Sequence, residues 1–186
     1  VLDRVNEVCG KGIFTLDKVE TLADFSAMKV KLDKIKLPAI KIVLTGSGKV
    51  AKGAKEIVDH LNIEKVTVEE YLTKTYQKAV YCYIDVMDYN KKIDGGAFNK
   101  TEFFKDPIGY ESNFMRFAKV SNVLIAGHFY GENAPYLFTR DDAKQPEFSI
   151  SLIGDISCDI DGPVASTLRA STIAAPLYGY QAASEK

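Results

Sequence analysis

The chain has 186 residues, 24 Lys and Arg against 25 Asp and Glu, a net charge of −1, and 46% hydrophobic residues. That length suits one large domain, or a domain with a short arm, and the even charge excludes the basic face that binding nucleic acid requires. No apolar run approaches the roughly 20 residues needed to cross a bilayer, so membrane insertion is excluded too.

The three cysteines, Cys9, Cys82 and Cys158, are widely spaced and form no C-x-x-C pair. An odd count without a framework fits a reducing compartment, read here as the cytoplasm. Two histidines, His60 and His128, leave little material for a metal site, and none is expected.

In chain order, Val1, Val5 and Val8 share a helical stripe that Gly10 and Gly12 stop. Leu22, Phe25, Met28, Leu32 and Ile35 then predict a helix over 22–35, capped by Thr21, with Lys29, Lys31, Lys34 and Lys36 on its solvated side. Pro38 ends this helical arm, so the main domain is placed at 39–186. Ile40 to Leu44 reads as a buried strand, followed by a helix to about Leu61 and a brief strand at Val66 to Val68. Val80 to Ile84 is the next strand. Residues 86–109 read as a long irregular excursion. A helix at Glu111 to Phe117, a strand at Val123 to Ala126, a short helix from Asp141 or Asp142 and a strand at Phe148 to Ile153 complete the series. Strands separated by helices predict an α/β fold, a Rossmann-like, doubly wound and mainly parallel sheet with helices on both faces.

The strongest local signal is Gly46-Ser47-Gly48-Lys49-Val50-Ala51, a G-x-G-x-x-(G/A) turn between a strand and a helix. Gly46 permits the tight turn, Gly48 lets a pyrophosphate approach bare backbone, and the small Ala51 lets the helix pack closely on the sheet. The free N–H groups of the helix then face the anion. A Walker loop does not fit, because Val50 follows Lys49 and no glycine stands five residues before Gly48. An acidic residue is expected about 20 residues on, to hold the adenosine ribose. Glu69 stands at that distance, with Glu70 as its neighbour. A carboxylate there favours NAD over NADP, whose extra phosphate it would repel. Further candidates follow other predicted strands: Asp85, then Gly127, His128, Phe129 and Tyr130, then Asp155 and Asp159. His128 reads either as a contact to ribose or nicotinamide or as a packed loop residue. Asp155 reads as a carboxylate tied to neighbouring backbone N–H groups. His60, late in the glycine-turn helix, reads as a surface residue at a helix C-terminus.

With those residues placed, a family resemblance appears. The segment Thr45 to Ile57, the segment Asn133 to Ala143, and Gly154-Asp155-Ile156-Ser157-Cys158-Asp159 with the later Ser171-Thr172-Ile173 resemble the nucleotide-binding domain of lysine-forming saccharopine dehydrogenases. That group includes the lysine-ketoglutarate reductase part of the bifunctional lysine-degrading enzyme, and belongs to the alanine dehydrogenase and transhydrogenase superfamily. The resemblance implies a Rossmann domain that binds NAD, or NADP, and exchanges a hydride with a carbon–nitrogen bond of an amino acid. It places Gly46, Ser47, Gly48, Lys49 and Val50 around the pyrophosphate and Glu69 on the ribose. Gly127, His128 and Phe129 join the cofactor site, and the Asp155-Ile156-Ser157 turn lies beside the cofactor. The catalytic lysine and histidine of such relatives sit on a separate substrate domain, so residues 1–38 are expected to link to a domain outside this chain, which would bring the amino-acid substrate. No catalytic residue is assigned here, and this piece alone is expected to show no turnover. Asp159-Ile160-Asp161-Gly162-Pro163 replaces the Asp-Gln-Gly-Gly turn common in alanine dehydrogenases, which disfavours alanine as substrate. An alanine dehydrogenase-like enzyme and a non-catalytic NAD-binding or regulatory module are the alternatives. A homo-oligomer is left open.

Overall fold

The computed structural model describes residues 2, 4, 5 and 21–186. Val1, Val8, Cys9, Gly10 and Gly12, which carry most of the first helical stripe, lie outside the described residues. The elements in chain order begin with α1 (Phe25–Leu32), β1 (Lys41–Thr45), α2 (Lys49–Asp59), β2 (Glu64–Lys65), α3 (Val68–Thr73) and β3 (Val80–Ile84). They continue with α4 (Val86–Tyr89), β4 (Asn90–Lys92), α5 (Lys100–Lys105), β5 (Tyr110–Ser112), α6 (Met115–Ala118), β6 (Val123–Ala126), α7 (Arg140–Ala143) and β7 (Leu152–Asp155). Five strands form one parallel sheet in the order β2-β3-β1-β6-β7, the α/β, Rossmann-like architecture expected from the sequence. Strands β4 and β5 pair antiparallel in a small second sheet.

The central strands are mostly apolar because both faces of the sheet are covered. Ile42, Tyr81 and Val123 point to one side and pack with Val58 of α2 and with Ile40, just before β1. Val43, Cys82 and Leu124 point to the other and pack with Tyr71, Phe114, Phe117 and Phe138. Those phenylalanines are almost wholly buried, and Phe114 stacks on Phe117 at 6.0 Å and on Phe138 at 6.3 Å. Burying each such ring stabilises the fold by roughly 1.5–3 kcal/mol. Cys82 lies mid-sheet, where burial pushes its thiol up to about 12; it is an inert core residue.

Several boundaries differ from expectation, each for a local reason. Helix α1 starts at Phe25, because the Asp24 carboxylate rather than Thr21 accepts the Ala27 N–H at 2.8 Å. Val66 to Val68 is not a strand. Thr67 and Glu70 form a reciprocal capping box that starts α3 at Val68, and the edge strand retreats to the exposed pair Glu64–Lys65. The excursion at 86–109 is also not irregular. It contains α4, β4 and α5, held by a cluster of Phe98, Phe103 and Tyr110 with ring centroids 5.1–5.3 Å apart. The helix expected from Glu111 shrinks to α6, because Tyr110–Ser112 pairs with β4. The last strand begins at Leu152 rather than Phe148, whose ring packs on Phe138 at 5.0 Å.

Candidate functional site

The strand register places Thr45, Ile84, Ala126 and Asp155 in one row. The next residues, Gly46, Asp85, Gly127 and Ile156, therefore leave the sheet together at its carboxyl edge. Backbone bonds extend the ladder by one step: Gly46 N–H to Ile84 O at 3.0 Å, Gly127 N–H to Thr45 O at 3.1 Å, and Ile156 N–H to Ala126 O at 2.9 Å. From β1 the chain moves towards β3 and β2, whereas from β6 it moves to β7. The reversal of strand order thus falls between β1 and β6, where open parallel sheets bind their ligands.

Glycines make that point possible. Gly46 has φ +104°, and a Cβ on it would lie 2.6 Å from Gly127 O and 2.8 Å from His128 Cα. A Cβ on Gly127 would in turn stand 3.0 Å from Ala51 Cα and 3.2 Å from Ala51 Cβ. Three small residues therefore let β1, β6 and α2 meet at backbone distance. Gly48 is different: it is exposed, and a Cβ there would meet nothing within 4 Å. It is the N-cap of α2, and no side chain caps that end, so the first N–H groups of an 11-residue helix have no side-chain acceptor from the cap. This is a fit for a pyrophosphate on this chain's own geometry.

Asp85 forms the next wall. Its Oδ1 accepts the Ser47 hydroxyl at 2.9 Å and the Val86 N–H at 2.7 Å, while the Lys100 ammonium lies 2.5 Å from Oδ2. Burial pulls its pKa upward, but the bonds from Lys100, Val86 and Ser47 outweigh that and hold the carboxyl below its usual value of 3.8. A cleft of about 530 Å³ runs along this edge. It gathers Gly46, Ser47, Gly48, Lys49, Val50, Asp85, Gly127, His128, Phe129, Tyr130, Ile156, Ser157 and Asp159, all candidates from the sequence, and adds Tyr89, Lys100 and Phe104. Phe129 is 82% exposed at its rim.

His128 is buried beneath the cleft. Its Nδ1 shares a hydrogen bond with Thr45 Oγ1 at 2.8 Å, and Tyr89 meets its ring edge-on at 5.7 Å. Its Nε2 is buried without a hydrogen-bond partner among the described residues. Burial holds the imidazole below its usual 6.5, against the opposing pull of Asp155 and Asp159, so the ring is neutral at pH 7. Asp155 has the tied role read from the sequence. Its Oδ1 accepts the Ser157 N–H at 3.1 Å, the Ser157 hydroxyl at 2.5 Å and the Cys158 N–H at 3.2 Å, and its Oδ2 accepts the Thr167 hydroxyl at 2.6 Å. That carboxylate shapes the turn which brings Ile156 and Ser157 to the cleft.

The structure does not bring Glu69 to the glycine turn. Glu69 is exposed in the first turn of α3, the helix that follows β2 in sequence, it does not line the cleft, and β3 stands between β2 and β1. Its neighbour Glu70 completes the α3 cap, where Lys74 and the Thr67 N–H hold its carboxyl down at about 2. The strand that lies against β1 is β3, and the acidic residue at its end is Asp85. A spacing of about 20 residues points to Glu69 only if the second strand pairs with the first; here β2 and α3 intervene. Lys100, Tyr89 and Phe104 were hidden in the excursion read as irregular. Asn99, whose side chain accepts the Glu102 N–H at 3.1 Å to start α5, was the available signal. His60 caps the end of α2, half-buried, 3.9 Å from Asp33.

No family model matches the chain. Over 166 aligned residues covering 77% of its length, the chain is 30% identical to the mitochondrial alpha-aminoadipic semialdehyde synthases of Mus musculus and Rattus norvegicus. The Bos taurus enzyme of the same name is 30% identical over 169 residues. The chain spans 18% of the length of each of these relatives. This likeness supports the family resemblance carried by the motifs at 45–57, 133–143 and 154–159. The relatives are mitochondrial by name, which gives no support to the cytoplasm over another reducing compartment. Among the described residues no helix is long and apolar enough to cross a membrane.

Proposed function

We propose that this chain is the NAD(P)-binding domain of an oxidoreductase acting on the carbon–nitrogen bond of an amino acid, of the saccharopine dehydrogenase type. The observation that carries the reading is the junction of Gly46, Gly127 and Ala51 beside an uncapped, unobstructed Gly48, at the point where strand order reverses. The similarity to enzymes named for making an amino-acid semialdehyde supports the substrate class.

In this reading the N–H groups at Ser47 to Val50 hold the pyrophosphate, aided by the α2 dipole and the Lys49 ammonium. Asp85 takes the adenosine ribose hydroxyls, the role first expected of Glu69. The nicotinamide end extends towards Gly127, Phe129, Ile156 and Ser157. The cofactor, when bound, supplies the hydride acceptor or donor. Buried His128 fixes the loop after β6 through Thr45 and keeps a polar atom beneath the cleft floor. The amino-acid substrate comes with a domain outside this chain, which also supplies the acid–base groups.

Amide chemical shifts of the labelled chain, followed during an NADH titration, test this. The expected result is that the largest shifts fall at Ser47 to Val50 and Gly127. Saturating NADH that leaves those amides unmoved would overturn the reading.

A further inference from the structure

Asp85 alone does not define the end of the cleft where the ribose is placed, because a lysine is already on it. Lys100 is the first residue of α5, a position where the positive end of a helix gives a cation no support. Its ammonium instead reaches Asp85 Oδ2 at 2.5 Å, with the two side chains 45% and 30% exposed. Asp85 Oδ1 is occupied by the Ser47 hydroxyl and the Val86 N–H. As the N-cap of α4 the Asp85 carboxylate also accepts the Asp88 N–H, so its bond to the partly exposed Lys100 ammonium is the contact here that a ligand can displace without undoing a helix cap, and both residues line the cleft.

A ribose hydroxyl and a ribose 2′-phosphate make opposite demands. The hydroxyl needs an acceptor, which Oδ2 provides. The phosphate needs a cation and is repelled by a bare carboxylate. We propose that Lys100 is a specificity-determining residue: paired with Asp85, it admits the adenosine ribose with or without a 2′-phosphate. The inference rests on the dinucleotide reading of the cleft. The lysine releases Oδ2 to a hydroxyl, or turns its ammonium to a phosphate while still screening the carboxylate. Cofactor choice is thereby set by a residue from the segment between β4 and β5, and not by the acidic strand end alone.

Calorimetry with ADP-ribose and 2′-phospho-ADP-ribose tests this on the full chain, since the two probes differ only in the group at issue. The parent is expected to bind both within about tenfold of each other. Lys100→Ala should weaken the phosphorylated probe by about tenfold or more and leave ADP-ribose within about threefold. Lys100→Arg should keep both affinities and serves as the control for folding. An unchanged affinity ratio in Lys100→Ala, or equal loss of both probes, overturns the role of Lys100 while leaving the cleft reading in place. A parent that binds neither probe overturns the cleft reading, and this inference with it.

Discussion

Two turns leave the carboxyl edge of the sheet on either side of β6, and they are built in opposite ways. The turn after β1 is shaped by side chains that are missing: Gly46 makes room for Gly127 and His128, and Gly48 leaves the end of α2 bare. The turn after β7 is shaped by one that is present, the Asp155 carboxylate, which collects donors from Ser157, Cys158 and Thr167. A loop that spends its N–H groups on its own carboxylate is a wall. A helix end with no internal acceptor is a receptor for someone else's anion. The contrast separates residues needed for folding from residues needed for binding, and substitutions can break it.

The largest effect is expected at Gly46. Gly46→Ala places a Cβ 2.6 Å from Gly127 O at φ +104°, and strain plus overpacking should cost about 2–5 kcal/mol in urea unfolding. A variant as stable as the parent would mean that the two backbones do not meet there. Asp155→Ala comes next. It removes an acceptor for four hydrogen bonds at the β7 turn and should destabilise by about 1–3 kcal/mol, partly offset by water at this half-buried site. A neutral result would show that the turn does not depend on its carboxylate.

Both turns were visible in the sequence, for different reasons. The glycine pattern lay between a run buried on both faces and a helix, and Asp155 followed an apolar segment directly. Strand β3 was legible with the same bounds, Val80–Ile84, because every position faces packed side chains. The placement of Glu69 was not. Val66-Thr67-Val68 looks like a strand by its β-branched content, but Thr67 with Glu70 three residues later is also a helix-start signature, and the cap prevailed. The real edge strand is two charged, exposed residues, so no apolar pattern marks it. Lys100 was illegible for another reason. Its contact with Asp85 depends on α5 folding back from β4, which the Phe98, Phe103 and Tyr110 cluster enforces and no periodicity reveals.

Smaller effects sharpen the comparison from the receptor side. Gly53 is exposed within α2, and an added Cβ there meets nothing within 4 Å. Gly53→Ala should therefore stabilise the chain by roughly 0.5–1 kcal/mol in thermal or urea unfolding; a loss would mean that α2 is not a continuous helix at that point. The pH dependence tied to His128 is weaker. Because its folded pKa is lowered by burial, the unfolded chain binds more protons just below the usual 6.5. Stability from this residue is thus fully present above about pH 6.5 and declines as pH falls towards the lowered folded value. Melting curves should show that decline in the parent and a flatter one in His128→Leu. The same slope in both would assign it to other groups.

Gly48 is where the two turns differ most in purpose, and its substitution separates binding from folding. Gly48→Val puts a branched side chain into open space at φ −79°, so the loss of stability should stay near 1 kcal/mol, the value of a poorer N-cap. In a fluorescence titration with NADH, the parent is predicted to bind and Gly48→Val to bind at least about tenfold more weakly, by ~1.4 kcal/mol. Equal affinity in the two proteins would contradict the placement of a pyrophosphate on this turn.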